Sequence, residues 1–279
     1  MKVLLVGVGL INGSFSLALK NKKDISFGGS DLSGEHLDKA KELGIISQEF
    51  ELRQGVRWAD FILLGTPVDV IKQILPEILD TVNADQLVVD FGSTKGTICK
   101  TVQSHQNRSN FLATHPIAGT EHSGPESACE ELFVGQNLII CERDRTNESL
   151  TEDFLNLAKV AGFYFTFMSA EEHDRHLAYI SHLSHISSYV LSNTVLQKEK
   201  NGEVILDLAG SGFESTVRLA KSSSVMWSSI FRENKQMVLD SIAAYQAELE
   251  ELKKFIETSD SNKLITYLEE GRKIRKILK

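Results

Sequence analysis

Val3-Leu-Leu-Val6-Gly7-Val8-Gly9-Leu10-Ile11-Asn12-Gly13-Ser14 opens the chain with an apolar run, two glycines one residue apart, and the start of an amphipathic segment. A strand that passes through a glycine turn straight into a helix is the setting in which a dinucleotide is held. The glycines allow a tight turn and close approach of the pyrophosphate, and the helix N-terminus favours its charge. The third glycine of the usual pattern is replaced by Asn12, with Gly13 next to it. An ordinary glycine-rich turn would read the same, so a second signal is needed. Asp31 supplies it: it closes the next β-like run about twenty residues on, where an acid binds adenosine ribose hydroxyls and repels a 2′-phosphate. Leu32 and Ser33 bring no arginine to welcome such a phosphate, so NAD is expected rather than NADP. Asp31 also suits a helix N-cap. Gly7, Gly9, Leu10, Ile11 and Asp31 are therefore candidate cofactor contacts.

Outward from this turn, Val3–Val6, Ile25–Ser30, Phe61–Gly65, Leu87–Phe91 and Phe111–Ala113 alternate with amphipathic segments. That alternation predicts a parallel sheet covered by helices. Asn137–Cys141 and Tyr164–Phe167 flank a helix starting near Glu148 and would extend the sheet. After Ser169 the strand signal ends, and Ser169-Ala-Glu-Glu172 reads as a capping box opening a helix to about Gln197. Further helices are expected over Val204–Leu208, Val225–Leu252 and Asn262–Ile277, the second long enough to pack against a partner chain. The expected fold is an α/β Rossmann-type domain over 1–168, followed by an all-α domain over 169–279 that binds substrate and dimerises.

Composition fits a globular chain. Of 279 residues, 42% are hydrophobic and 24% charged, which excludes disordered and fibrous classes. A net charge of -8 without a basic face argues against nucleic acid as a partner. The basic stretch from Arg272 to Lys279 reads as a solvated helix end. Cys99, Cys129 and Cys141 lack CxxC spacing, which suits a reducing compartment and argues against a metal site. With no leader-like start and no run long enough to span a bilayer, a cytoplasmic protein without membrane contact is expected.

Strand ends place Gly65-Thr66-Pro67, Gly92-Ser93-Thr94-Lys95 and Thr114-His115-Pro116 at the carboxyl edge of the sheet, where open α/β sheets bind ligands. Turn chemistry and capping account for part of the first two, where Thr66 and Pro67 are further cofactor candidates. His115 has no such explanation. His182 and His185 stand three apart on one expected helix and share a face. Such a pair can hold zinc, but no HExxH glutamate or third ligand accompanies it, so no metal is expected. His173 and His176 read as structural.

The segment Thr114-His-Pro-Ile-Ala-Gly-Thr-Glu121, followed by Ser123-Gly124, resembles the signature of prephenate and arogenate dehydrogenases. Ile180-Ser-His-Leu-Ser-His185 resembles that family's helix motif. Gly210-Ser-Gly-Phe-Glu-Ser-Thr-Val-Arg218, through Met226-Trp227, resembles its substrate-binding turn and the helix after it. The matches run in order along nearly the whole chain. The resemblance implies NAD-dependent oxidative decarboxylation of prephenate to 4-hydroxyphenylpyruvate in tyrosine biosynthesis. It casts His115 as the acceptor of the hydroxyl proton, a task suited to an imidazole. It has Ser93 bond that hydroxyl and orient the histidine. Arg218 would grip a substrate carboxylate, although surface pairing with Glu214 is an alternative. His182 and His185 would lie beside the substrate, with a helix-helix contact the alternative for His182. Glu121 would gate or order the cleft through a cation there, or else be a solvent-facing loop carboxylate, and Trp227 would border the pocket unless it is simple core.

Departures from the family pattern are Asn12, Ser184 where proline is usual, and Glu214-Ser215. Arogenate dehydrogenase is the nearest alternative. An NAD-binding regulator that has lost its chemistry is the non-enzyme alternative, and 3-hydroxy-acid dehydrogenases are disfavoured because no segment resembles their catalytic-lysine motif. A stand-alone homodimer is expected, with tyrosine as an inhibitor at the active site.

Overall fold

The apolar runs named above form the centre of one eight-stranded sheet. A computed structural model describes residues 1–22, 24–120, 122–200 and 204–277. Strands β1 (Lys2–Val6), β4 (Phe61–Leu64) and β5 (Leu87–Asp90) are buried almost throughout, because helices cover both of their faces. With β2 (Ser26–Ser30), β3 (Gln48–Glu49), β6 (Phe111–Pro116), β7 (Asn137–Cys141) and β8 (Tyr164–Met168), the order is β3-β2-β1-β4-β5-β6-β7-β8. The helices between them are α1 (Leu10–Leu19), α2 (Gly34–Glu42), α3 (Leu52–Trp58), α4 (Val68–Thr81), α5 (Gly96–Thr101) and α6 (Glu148–Val160).

The sheet is not parallel throughout. From β3 to β6 every pairing is parallel, but β7 runs antiparallel to β6, and β8 then pairs parallel with β7. Among the described residues no α-helix lies between β6 and β7, and without a helical crossover the chain returns beside β6 in the opposite sense. The helix α6 restores a parallel crossover to β8.

Alternate strand residues feed two cores. Val3, Leu5, Phe61, Leu63 and Val89 face Phe15 and Phe154, whereas Leu4, Ile62, Leu64 and Val88 face Ile71, Leu75 and Ile98. Phe15 and Phe154 stack with centroids 6.0 Å apart, and Phe91 lies 5.8 Å from Phe15.

Ser169 starts the helical region with a complete capping box, its hydroxyl and the Glu172 carboxylate each satisfying the other's backbone N–H. The single helix expected from there is α7 (Ala170–Leu177), a π-helical turn over Ala178–His182, and α8 (Leu183–Lys200). Of the helix expected near Val204, the described part is a short 3-10 turn, Leu206–Leu208. The stretch Ser211–Val217 forms a helix, α9, where a turn is expected. The helix expected over Val225–Leu252 breaks at Asn234 into α10 (Ser224–Glu233) and α11 (Lys235–Glu257). At the break the Asn234 backbone leaves helical geometry, with φ -108° and ψ 33°, and its carboxamide donates to the Asp174 carbonyl at 2.7 Å.

The chain divides into two compact units, Met1–Asn234 and Lys235–Lys279. Within the second, α11 and α12 (Ser261–Gly271) meet through Phe255 and Tyr267, and the Tyr267 hydroxyl donates to Glu248 at 2.9 Å. Leu249, Ile256, Ile265 and Leu268 remain exposed on these helices. No helix among the described residues is long and apolar enough to cross a membrane.

Phe154 is fully buried among three other phenylalanines. Phe154→Ala should cost about 3–5 kcal/mol of stability through lost burial and an unfilled cavity. Urea denaturation would measure this, and a loss below about 1 kcal/mol would mean that the site collapses freely.

Candidate active site

At the nucleotide end, Gly7 adopts φ +81°, and a Cβ there would come within 2.9 Å of Thr66 Cγ2 and 3.2 Å of the Gly65 backbone. Gly9 faces open space, with nothing within 4 Å of the position its Cβ would take. It precedes α1, which has no side-chain cap on its first-turn N–H groups. Leu10 and Ile11 form that first turn, half-buried, with Ile11 packed on the core.

Asn12, the departure from the usual glycine, is buried and works as a staple. Its amide nitrogen lies 3.1, 2.8 and 3.0 Å from the carbonyls of Val6, Gly7 and Leu63, tying the turn to β1 and β4. Close packing falls to Gly13, where a Cβ would meet Ala128 Cβ at 2.8 Å. The Asp31 carboxylate accepts from the N–H groups of Val8 at 3.0 Å and Ser33 at 2.9 Å. It is not the N-cap of α2, because Ser33 fills that role by accepting from His36 N–H. An uncapped helix start, an open glycine and a carboxylate at the end of β2 fit a dinucleotide. Thr66 adds a buried hydroxyl without a partner among the described residues, and Pro67 lies at the rim of a cleft of about 440 Å³ bounded also by Asp69, Ser228 and Arg232.

The chemical end begins at the tip of β5. Lys95 is fully buried, its ammonium bonded to the Asp90 carboxylate and, at 2.6 Å, to the Thr114 carbonyl. Asp90 also accepts from Thr114 N–H at 3.1 Å, so the ends of β5 and β6 are locked together. His115 lies inside β6, opposite Ile139, one residue beyond that lock. Its Nδ1 is 2.8 Å from His173 Nε2, and His173 Nδ1 is 2.8 Å from Asp174 Oδ1. The same carboxylate accepts from the backbone N–H groups of Lys95 and Gly96, each at 2.7 Å.

These bonds set the protons. An ionised carboxylate can only accept, so His173 donates from Nδ1 and accepts at Nε2. His115 must then donate from Nδ1, which leaves its Nε2 lone pair unused. Burial, helped by His173, Lys95 and His182, holds the His115 imidazole well below its ordinary range and therefore neutral near pH 7.

His182 is buried, and its Nδ1 faces the Asn234 amide at 3.3 Å; that amide is oriented by its bond to the Asp174 carbonyl, so His182 Nδ1 is the acceptor. Burial lowers its pKa to about 4. His185 bonds through Nδ1 to the Ser181 carbonyl at 3.0 Å and stacks on Trp227, centroids 3.5 Å apart. His182 meets the same indole edge-on at 5.9 Å, so Trp227 joins the two histidines. Its buried indole N–H has no partner among the described residues. Arg218 is exposed and has no ion pair among the described residues, while Glu214 pairs with Lys221. Arg218 lies near enough to His185 to help lower that ring's pKa, after burial.

The structure thus brings together His115, His182, His185 and Trp227 through His173, Asp174 and Asn234. Ser93 sits half-buried on the turn after β5 without a hydrogen bond among the described residues, and the bond that His115 Nδ1 makes is to His173, which the sequence places among the structural histidines. Glu121 lies outside the described residues. The missed pair is adjacent in sequence, His173-Asp174, at the start of a helix whose periodicity assigns His173 to a buried face.

Residues 15–164 match the family model described as prephenate dehydrogenase, nucleotide-binding domain, and residues 169–270 match prephenate dehydrogenase, dimerization domain. The chain is 31% identical to a prephenate dehydrogenase of Bacillus subtilis over 277 residues, covering 98% of this chain and 75% of that one. It is 29% identical to a cyclohexadienyl dehydrogenase of Zymomonas mobilis over 280 residues, 99% and 96% of the two chains. Among solved structures, prephenate dehydrogenase from Aquifex aeolicus in complex with hydroxyphenyl propionate and NAD+ superposes with a TM-score of 0.93 at 30% identity, covering 100% of this chain and 98% of that one.

A histidine kept neutral by burial makes stability depend on pH. His182 takes up protons at its ordinary value of 6.5 when unfolded but only near 4 when folded. Its contribution is full above about pH 6.5 and falls away as pH drops toward 4, amounting to about 2 kcal/mol lost between pH 7 and pH 5. Wild type should lose urea resistance over that interval, and His182→Gln should lose correspondingly less. Equal losses in both would show that His182 titrates normally in the fold.

Proposed function

The chain belongs to the prephenate dehydrogenase family, and on that basis we propose that it converts prephenate to 4-hydroxyphenylpyruvate with His115 as the base. It is an NAD-dependent oxidoreductase. The observation that carries the assignment of His115 is a neutral imidazole whose Nδ1 is engaged and whose Nε2 is free. Gly7, Gly9, Leu10, Ile11, Asp31, Thr66 and Pro67 would hold the cofactor. NAD, when bound, accepts the hydride from the ring carbon that carries the substrate hydroxyl. His115 Nε2 takes the hydroxyl proton, and the Ser93 hydroxyl hydrogen-bonds the same oxygen. Loss of the ring carboxylate as carbon dioxide completes an aromatic ring, which makes the step downhill.

Arg218, exposed and without an ion pair among the described residues, would grip a substrate carboxylate with its fork of N–H donors. His185 and the unpartnered Trp227 N–H would complete that side of the site, with His182 behind them. A cationic pocket end favours the keto acid prephenate over the ammonium of arogenate. Arogenate is the second reading, supported by the similarity to a cyclohexadienyl dehydrogenase. We further propose residues 1–168 as the NAD-binding domain and 169–279 as the substrate-binding and dimerisation domain of a cytoplasmic homodimer. The exposed apolar residues of α11 and α12 and the match to a dimerization domain support that pairing. Tyrosine, which shares the ring and carboxylate of the product, would compete with prephenate.

NADH formation with prephenate, beside arogenate, tests the proposal directly. His115→Asn should lower kcat about 10²- to 10⁴-fold with NAD affinity unchanged. Arg218→Gln should instead raise KM for prephenate by roughly tenfold to a hundredfold, the worth of a charge-assisted bond. Turnover with arogenate alone would reassign the substrate, and NAD binding without turnover would point to a regulator. Tyrosine inhibition that prephenate cannot relieve would exclude the active site as its target.

A further inference from the structure

Behind His115 stands a pair of groups to which the reading above gives no part in turnover. His173 is fully buried and bonds to nothing in its ring plane except His115 and Asp174. Asp174 is itself fixed by three donors: His173 Nδ1–H and the backbone N–H groups of Lys95 and Gly96. Lys95 ends the turn that carries Ser93, and Gly96 opens α5. The capping box at Ser169 holds α7, and Asn234 grips the Asp174 carbonyl, so the pair is anchored from both ends.

We propose that His173 and Asp174 are positioning residues that fix the tautomer of His115 and receive the proton's charge during turnover, a proposal that rests on His115 being the base. As the substrate O–H bond breaks, its proton bonds to His115 Nε2. The Nδ1–H of His115 passes to His173 Nε2 across their 2.8 Å contact. His115 ends neutral, protonated on Nε2, and the single positive charge resides on His173 beside the Asp174 carboxylate. The proton returns by the reverse path, from His115 Nε2 to the oxygen that decarboxylation leaves as a phenolate, so the product departs as the phenol. Hydride transfer and carbon dioxide loss are untouched, so atoms and charge balance.

The surroundings favour this location of the charge. His115 faces the cation of Lys95 and the rings of His173 and His182, all of which oppose protonation. Burial also holds His173 below its ordinary range, but unlike His115 it has the carboxylates of Asp174 and Asp90 to favour its charge, against Lys95. An imidazolium is better tolerated one ring farther in, against a carboxylate. The substrate-facing ring is then left uncharged.

Two measurements test the proposal, one of which needs no substrate. Nitrogen-15 NMR of histidine-labelled wild-type enzyme should show His115 protonated on Nδ1 and unprotonated on Nε2; the opposite tautomer would overturn the proposal whatever the variants do. In kinetics, Asp174→Asn and the more conservative His173→Gln should lower kcat at least tenfold, within the about 10²–10⁴ that a positioned base contributes, with KM for NAD and prephenate little changed. The acid limb of kcat/KM should move to lower pH in Asp174→Asn, because removing the carboxylate weakens the protonated pair. A purely structural role would lower folded protein or raise KM without moving that limb, and wild-type kcat with an unmoved limb would refute the relay. If wild type turns over neither prephenate nor arogenate, the functional reading fails on its own terms, while the NMR result still decides the tautomer.

Discussion

A single buried lysine organises the end of the sheet where His115 stands. Lys95 has no access to water, so its charge must be answered inside the fold, and the answer comes from Asp90 and the Thr114 carbonyl. Its own backbone N–H is taken by Asp174. One residue therefore holds the end of β5, the strand carrying His115, and the first helix of the helical region. An uncompensated charge in this position costs several kcal/mol, which makes alternative arrangements of the three elements unfavourable. The fixed position of His115 is a by-product of satisfying that lysine.

Much of the architecture was legible in the residues because it rests on local rules. The glycine turn at Gly7 and Gly9, the acid at Asp31, the strand alternation and the capping box at Ser169 each carry their physical cause within a few positions. The misses share a different origin. The antiparallel β7 follows β6 with no α-helix between them among the described residues, the break at Asn234 coincides with a bond to a carbonyl sixty residues earlier in sequence, and the helix at Ser211–Val217 replaces a motif that reads as a turn. His173 looks structural because burial and helical periodicity are all that the sequence shows of it. Its importance lies in a contact with His115, 58 residues away, that no local pattern encodes.

Asn12 shows how a departure from a fingerprint can preserve its physics. A glycine at that position would avoid crowding and leave the turn held by backbone alone. The asparagine instead inserts a carboxamide among three carbonyls, while its neighbour Gly13 provides the close approach to Ala128. A Cβ on Gly65 would run into this carboxamide at 2.6 Å, so the two positions are matched to each other. The substitution is thus read correctly only with β4 in view.

The π-helical turn at Ala178–His182 places an extra residue in one turn of an otherwise continuous helix. In α-helical geometry each residue advances the chain by about 100° around the axis, so this one extra residue re-clocks all of α8 relative to α7. His173 belongs to the early phase and His185 to the late one, which is how one long rod can address β6 with one histidine and Trp227 with another. Winding the same residues as regular α-helix, with no change of sequence, would leave composition and length intact while turning the entire second half of the rod by about 100° out of phase with the first.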